Sequence, residues 1–565
     1  MDIIQFKEAN CKGCYKCIRN CDLKAIKFSN DQARILDSEC ILCGKCTLVC
    51  PQNAKVIRSD LPKTKEYIKS GKKLFASIAP SYVSVFKNVP FANLSAALKK
   101  LGFYGVEETA IGAKMVSAEY AKLMRKKTMK NIITTCCPTV NLLVEKYYPE
   151  LVPFLAPVVA PATAHAKTLK EIYGGDIKVI FIGPCISKKF EAQMNNYIDA
   201  VLMFDELENW LAEENIDFTV PDETATEIHD TVNRFYPVPE GIIHTIPEDA
   251  IENYKTLAVD GVDRCIGILE SLKSGEIEGY FLEMSSCAGS CVQGPGMHGN
   301  AAPFLVAKDL IIKNALKETK TPMPKSEETA TDLSKVFNIT LVKDKVPDED
   351  TINSILASIG KTSQAQMLNC GACGYSTCRE KAIAVFQGKA DLKMCLPYMR
   401  EKAESMSNII LENTPDAIFV TDSAFNILEY NPAAAKMFPQ ISAETIGLPI
   451  EMLINSEHFK EVKSSGKNVY YANCKDTSDR LFLEISIIHA PNRDYIIIAK
   501  NMTAEYERSL ELEKIRRDTL ETTQKIIDKQ MRVAQEIASL LGETAGETKA
   551  ALINLKKSIA QDKNF

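Results

Sequence analysis

The chain has 565 residues, of which 25% are charged and 46% hydrophobic, and a formal net charge of −5. That length is too great for one core and implies roughly three to five domains. The near balance of charge, with no long run of Lys and Arg, argues against nucleic acid or an anionic membrane surface as partner.

The first residues, Met-Asp-Ile-Ile-Gln-Phe-Lys-Glu, carry no apolar core behind a basic start, so no signal peptide is expected. The most apolar long stretch, 151–166, is interrupted by Pro153, Pro157 and Pro161 and is too short to span a bilayer. A cytoplasmic location is expected. Nineteen cysteines in a reducing compartment then read as metal ligands rather than disulfides.

In chain order, Cys11, Cys14, Cys17 and Cys21 are followed by Cys40, Cys43, Cys46 and Cys50, the last before Pro51. This resembles the bacterial-ferredoxin ligand run written twice, in which the fourth cysteine of each run serves the other cluster. Cys11, Cys14, Cys17 and Cys50 would hold one 4Fe–4S cluster, and Cys40, Cys43, Cys46 and Cys21 a second. Zinc is the alternative, but duplicated spacing of this kind suits paired cubanes better. Asp22 stands where a proline commonly follows the first run, which touches the turn and not the ligation.

After a charged connector, 59–73, short β-rich runs alternate with helical patterns. The strands are 74–78, 131–135, 178–183 and 279–282, and helices are expected over 94–101 and 113–124. Such alternation implies an α/β domain with a mostly parallel sheet. Three strands run into cysteine loops: Thr134-Thr135-Cys136-Cys137-Pro138, Gly183-Pro184-Cys185-Ile186-Ser187-Lys188-Lys189-Phe190-Glu191, and Glu283-Met284-Ser285-Ser286-Cys287 to Cys291. Strand ends on one edge are where such sheets build sites. Cys137, Cys185, Cys287 and Cys291 would make a further cubane, with Cys136 left over.

These three loops resemble the active-site signatures of the FeFe hydrogenases, over about 72–315. The resemblance implies an H-cluster: a 4Fe–4S cluster on Cys137, Cys185, Cys287 and Cys291, with Cys291 bridging to a two-iron subsite that carries CO, cyanide and azadithiolate. It implies that Lys188 donates a hydrogen bond to a cyanide, as does the Ala79-Pro80-Ser81 turn, and that Cys136 passes a proton. A buried anionic ligand needs a matched cation, which a lysine supplies. A thiol of ordinary pKa, about 8.5, suits proton transfer near neutrality.

The departures from the family pattern point to its sensory branch. Gly183 and Ser285 stand where methionines pack against the two-iron site, which predicts altered hydration there. Aligned on Ile111-Gly112-Ala113, Tyr120 and Leu123 replace the relay carboxylates, with Glu119 adjacent, and Ala156 replaces the relay serine. Slow turnover, or another proton route, follows.

Residues 316–364 read as a connector with a short helix at 352–359. Cys370-Gly-Ala-Cys373-Gly-Tyr-Ser-Thr-Cys378 with Cys395 then resembles the small 4Fe–4S module of electron-bifurcating and corrinoid proteins, a third accessory cluster able to report redox state onward. Residues 405–505 resemble a PAS domain, its ligand unknown; Cys474 and His489 are read as structural and His458 as solvated. Cys265 reads as core, and His298 follows the site loop. The tail, 506–565, reads as helix with an irregular apolar seam, a break at Gly542 and a second amphipathic stretch at 550–559, either coiled coil or packed hairpin. No histidine lies beyond His489, so the tail is no phospho-accepting helix, and output must pass to a partner.

The fold class expected is therefore multidomain α/β and α+β. It comprises a ferredoxin-like module with two 4Fe–4S clusters (1–58), an FeFe-hydrogenase domain (72–315), the connector (316–364), a single-cluster module (365–400), the PAS domain (405–505) and a helical signalling or dimerisation tail (506–565). The function expected is a sensory hydrogenase interconverting dihydrogen with protons and electrons. Expected partners are a ferredoxin-like redox protein, hydrogenase maturation proteins, a downstream signalling protein and a second copy of the chain. The alternative is an iron–sulfur redox sensor or scaffold without hydrogen chemistry; Cys136 and Lys188 favour the former.

Overall fold

The computed structural model describes residues 3–297, 301–342, 345–455, 459, 462, 469–490 and 494–561. They fall into two compact units, Met1–Met399 and Arg400–Phe565. Among the described residues, no helix is long and apolar enough to cross a membrane.

In the first unit, the paired cysteine runs fold as a near repeat. Strand Ile4–Phe6 pairs antiparallel with Lys55–Ile57, and Ile26–Ser29 with Gln32–Ile35. The helices Lys16–Arg19 and Lys45–Leu48 each start from a left-handed corner, at Tyr15 (φ 57°) and Gly44 (φ 77°). Those corners fold each Cys-x-x-Cys loop back on itself.

The central domain holds two parallel sheets rather than one. Gly105–Glu108, Leu74–Ile78, Lys178–Ile182 and Ala200–Leu202 form the first, in that order. Lys255–Asp260, Tyr280–Ser285 and Ile132–Ile133 form the second. Each sheet has its own apolar core. Apolar runs mark which segments are strands but not which strands are neighbours, so the division into two was hidden from the sequence.

The expected helices appear as Phe91–Lys100 and Ala110–Lys126. The second crosses Pro161–Tyr173 so closely that a Cβ on Gly112 would lie 2.0 Å from the Pro161 carbonyl oxygen, and only glycine fits there.

Beyond residue 315 the connector straps the domain. Val159 N–H donates to the Leu333 carbonyl at 2.9 Å and Lys335 N–H to that of Pro157 at 3.1 Å. The short helix lies at Glu349–Ala357, and its Ile352 and Leu356 pack with Ala382 of helix Cys378–Phe386, making it part of the third cysteine module.

The second unit contains a five-stranded antiparallel sheet in the order Ile427–Tyr430, Ala417–Thr421, Tyr495–Asn501, Phe482–His489, Val469–Lys475. Its core joins Phe419, Phe425, Phe438, Ile485 and Ile497. Asn431 caps helix Pro432–Met437 by accepting from Ala434 N–H at 3.0 Å. Cys474 is buried in this core, and the His489 ring stands edge-on to Tyr495, as structural residues do.

The tail corrects an expectation. Thr503–Gln561 is one uninterrupted helix, with no break at Gly542 and therefore no hairpin. An interior glycine costs only about 1 kcal/mol, too little to stop a helix surrounded by strong helix formers.

Candidate metal centre

The carboxyl ends of both parallel sheets face one cavity of about 120 Å³. Strand Leu74–Ile78 delivers Ala79, Pro80 and Ser81; the turn after Ile132–Ile133 delivers Cys136 and Cys137; the loop after Lys178–Ile182 delivers Cys185 and Lys188. Strand Tyr280–Ser285 and the loop beyond it bring Glu283, Ser285, Cys287 and Cys291. Leu42 and Cys43 of the paired-cysteine module complete the wall. The structure thus gathers Cys136, Cys137, Cys185, Lys188, Ser81, Ser285, Cys287 and Cys291 round one space.

Three of the thiols, Cys185, Cys287 and Cys291, are pushed up by burial and by the neighbouring cysteines. Burial, then the charges of Cys185, Cys137 and Cys291, push Cys287 well up. Desolvation by the surrounding wall, then Cys185 and Cys137, raise Cys291 likewise, although its side chain is open to the cavity. Such a set is at ease as thiolates only around cationic metal, so the donors fit an iron–sulfur cubane. Among the described residues, no three His, Cys, Asp or Glu side chains converge on a single ion; a cubane spreads its thiolates further, one to each iron.

Two side chains fit a bound anion beside that cluster. Ser81 is fully buried, and its hydroxyl has no hydrogen-bond partner among the described residues. Lys188 donates to Glu191 Oε2 at 2.5 Å and to the Cys136 carbonyl at 3.4 Å. Burial opposes its charge, yet Glu191 and the nearby thiols hold the ammonium above its usual pKa. It faces the cavity as a cation.

Gly183 departs from its expected place. It does not line the cavity, because a Cβ there would meet the Phe181 ring at 2.7 Å and Ala79 Cβ at 3.0 Å. Phe181 lines the wall instead, so this side keeps an apolar group. Ser285 ends its strand, with its Oγ 2.9 Å from that of Ser290. Cys265 is core and donates to the Ser285 carbonyl at 3.4 Å. His298 and His458 lie outside the described residues.

Burial pushes the Cys136 thiol up to about 12, partly offset by the Tyr120 hydroxyl and Lys188. The ordinary thiol value therefore does not hold here, and Cys136 stays protonated at neutral pH. Tyr120 OH lies 3.3 Å from its sulfur and accepts from Thr135 N–H at 2.9 Å. The ring packs with Val116, Met124 and Phe281, and its hydroxyl also lies 3.4 Å from Thr135 Oγ1, which donates to the Val158 carbonyl at 2.7 Å, so the contact ends on a backbone carbonyl. Glu119 pairs with Lys122 instead, and Ala156 is fully buried.

A carboxyl with no role in the sequence-based reading faces the same space. Glu283 Oε2 accepts from Ile242 N–H at 2.9 Å and Ile243 N–H at 3.1 Å. Burial pushes it up to about 7 against those donors, with the charge of Glu240 adding to the rise. Glu240 is exposed. An acidic residue inside the apolar run Phe281-Leu-Glu-Met was the available signal.

The loop carrying Tyr236, Pro237 and Glu240 is fixed by a buried ion pair. Arg234 Nε and Nη2 each donate to Glu108 at 2.7 Å, Nη2 also reaches Glu227 at 3.0 Å, and Nη1 donates to the Asn314 carbonyl at 3.1 Å.

The remaining cysteines gather in smaller spaces. Cys21, Cys40, Cys43 and Cys46 line one small cavity, and Cys43 is raised by burial, then by Cys21 and Cys40. Cys17 and Cys50 both feel Lys55, and Cys17 also feels Cys14. Cys370, Cys373, Cys378 and Cys395 line another small cavity.

Comparison with known proteins agrees with this geometry. Residues 72–295 match the family described as iron only hydrogenase large subunit, C-terminal domain. Residues 3–67 match the 4Fe-4S dicluster domain, 366–397 an Fe–S cluster family and 408–478 the PAS fold. The chain is similar to the periplasmic [Fe] hydrogenase large subunit of Nitratidesulfovibrio vulgaris, at 25% identity over 52% of this chain and 86% of that protein. It is similar to iron hydrogenase 1 of Clostridium pasteurianum at 24% identity, over 53% of this chain and 65% of that one. It is also similar to a cytosolic Fe–S cluster assembly factor of Yarrowia lipolytica, at 24% over 37% of this chain and 50% of the relative.

Proposed function

We propose, from a chain whose residues 72–295 form an iron-only hydrogenase large-subunit domain, a slow cytoplasmic hydrogenase that senses rather than produces in bulk. The observation that carries this reading is one cavity holding four cluster thiols, the Lys188 cation and the orphaned Ser81 hydroxyl. When bound, an H-cluster supplies an open iron position and an adjacent base for heterolysis of dihydrogen. Lys188, fixed by Glu191, and Ser81 orient and neutralise its anionic ligands, and the sheet ends exclude water. Cys136 holds a proton at its sulfur. Glu283, at about 7, takes or gives one near neutral pH and passes it toward exposed Glu240. A relay through this one carboxyl, in place of the chain of carboxylates in the family pattern, would account for slow turnover.

Signalling rests on the PAS fold, and redox state would reach it from the accessory clusters. The partners in this reading are a ferredoxin-like redox protein, maturation proteins that load the two-iron subsite, and a signalling protein in trans.

An infrared spectrum of the chain after loading with the two-iron complex tests the proposal. Carbonyl and cyanide bands are expected. A silent spectrum, with cluster iron intact, would leave a cluster sensor or scaffold as the reading.

The tail supplies a second expectation. Its 59 residues make a helix of about 90 Å that exposes Leu512, Ile526, Val533, Ile537 and Leu540 to solvent. Such a seam is covered by a second copy of the same helix, spaced near seven residues over 512–540. Sedimentation should give a dimer, and deleting 503–565 a monomer; a monomeric full chain would refute the pairing.

A further inference from the structure

Chain order places the third cysteine module after the hydrogenase domain, but in space it is docked on the paired-cysteine module. Lys24 Nζ donates to the Gly374 carbonyl at 2.9 Å, Arg19 to that of Ala372 at 3.1 Å, and Phe28 N–H to that of Lys389 at 2.7 Å. One apolar core runs across the junction, joining Cys17, Ile18 and Phe28 to Tyr375 and Met394. The approach is tight: a Cβ on Gly374 (φ +94°) would lie 2.9 Å from the Ile18 side chain.

Tyr375 stands at the centre of this junction. It lines the cavity of Cys370, Cys373, Cys378 and Cys395, and it is 2% exposed. Its hydroxyl is buried with no hydrogen-bond partner among the described residues. Cys17 and Cys21 of the paired module and Cys373 of its own module pack in the same core, so both cysteine sets lie close to it. A buried hydroxyl left unpaired is unfavourable unless something accepts from it. Sulfur on a neighbouring cluster is an acceptor of the right kind, and such hydrogen bonds set cluster potentials.

We infer that Tyr375 links the third cluster site to the paired-cluster module, its hydroxyl donating to sulfur at the Cys373 side and raising that cluster's reduction potential. Electrons from the central cavity then enter the paired module at Cys43, cross at Tyr375 and end on the third cluster. Its ligand Cys395 immediately precedes helix Leu396–Asn413, which leads into the PAS segment. The third cluster is thus the terminus of the wire, and the paired module its middle.

This inference deepens the sensory reading and rests on it for its purpose, but its test needs no two-iron subsite. Chain reconstituted with iron and sulfide alone is reduced and followed by electron paramagnetic resonance. The third cluster should show spin–spin broadening from the paired module, and Cys378→Ala, which removes that cluster, should abolish it. In Tyr375→Phe, which keeps the ring and its packing, iron content and broadening should persist while the third cluster's midpoint moves to more negative potential. An unbroadened third-cluster signal would overturn the shared wire. Broadening with an unshifted midpoint would remove Tyr375 from it.

Discussion

Replacing Glu283 by glutamine is expected to slow hydrogen turnover about 10²–10⁴-fold, the range for loss of a positioned proton carrier. The amide keeps the size of the carboxyl and can still accept from the Ile242 and Ile243 N–H groups, but it cannot hold and release a proton. Infrared bands of the loaded enzyme should be unchanged, separating loss of the route from loss of the metal site. Tyr120→Phe is the matched control: it removes the contact to Cys136, yet activity should stay within about threefold, because beyond that hydroxyl lies the Thr135 hydroxyl, which donates to the Val158 carbonyl. A slow Tyr120→Phe and a normal Glu283→Gln would reverse the assignment.

The pH dependence has a defined sign. The Glu283 carboxyl rises from 4.5 to about 7 on folding, so the native state binds a proton that the unfolded chain releases. Its contribution to stability is complete below about 4.5 and is lost as pH rises through about 7. Glu283→Gln should therefore gain stability relative to the parent across that window, which denaturant midpoints at several pH values would show.

Arg234→Met is expected to cost about 3–5 kcal/mol, the usual effect of breaking a buried ion pair from one side. Glu108 is fully buried, and burial already pushes its carboxyl up against the pull of Arg234. Without the guanidinium, the carboxylate must stay charged and unpaired or take up a proton. A raised folded pKa gives stability that is lost as pH rises, so the deficit should be larger at about pH 8 than at about pH 5. Denaturant unfolding of the two proteins at both pH values measures this. The same change should slow turnover, because Arg234 anchors the loop that brings Tyr236 to the cavity and carries Glu240. A deficit below about 1 kcal/mol would mean that Glu108 is neutral in the parent.

The cysteine runs were legible because a cubane demands thiols at fixed short spacing, and short spacing is a property of the chain itself. The strands at 74–78 and 178–182 were legible because fully buried parallel strands read as unbroken apolar runs. The PAS core was legible from alternation instead, in Ala417-Ile-Phe-Val and Phe482-Leu-Glu-Ile, where every second residue is buried. At Gly183 the Phe181 ring, two residues back on the same side of the chain, occupies the space that a side chain would need, a packing that no local spacing announces. Gly542 was misread because a helix boundary is a cooperative choice of many residues, and one glycine is outvoted.

By itself the sequence determined the cysteine runs, the identity of the cation Lys188 and the order of the domains, all local matters of residue type and spacing. Only the tertiary structure decided that two sheets share the cavity, that Glu283 lines it while Tyr120 contacts Cys136, and that the third cysteine module rests on the paired one. The reason is physical: a pKa, an orphaned hydroxyl and an electron path depend on burial and on neighbours brought from distant parts of the chain. For Tyr375 those neighbours are Ile18 and Cys21, from near the start of the chain, and no spacing around Tyr375 itself announces them.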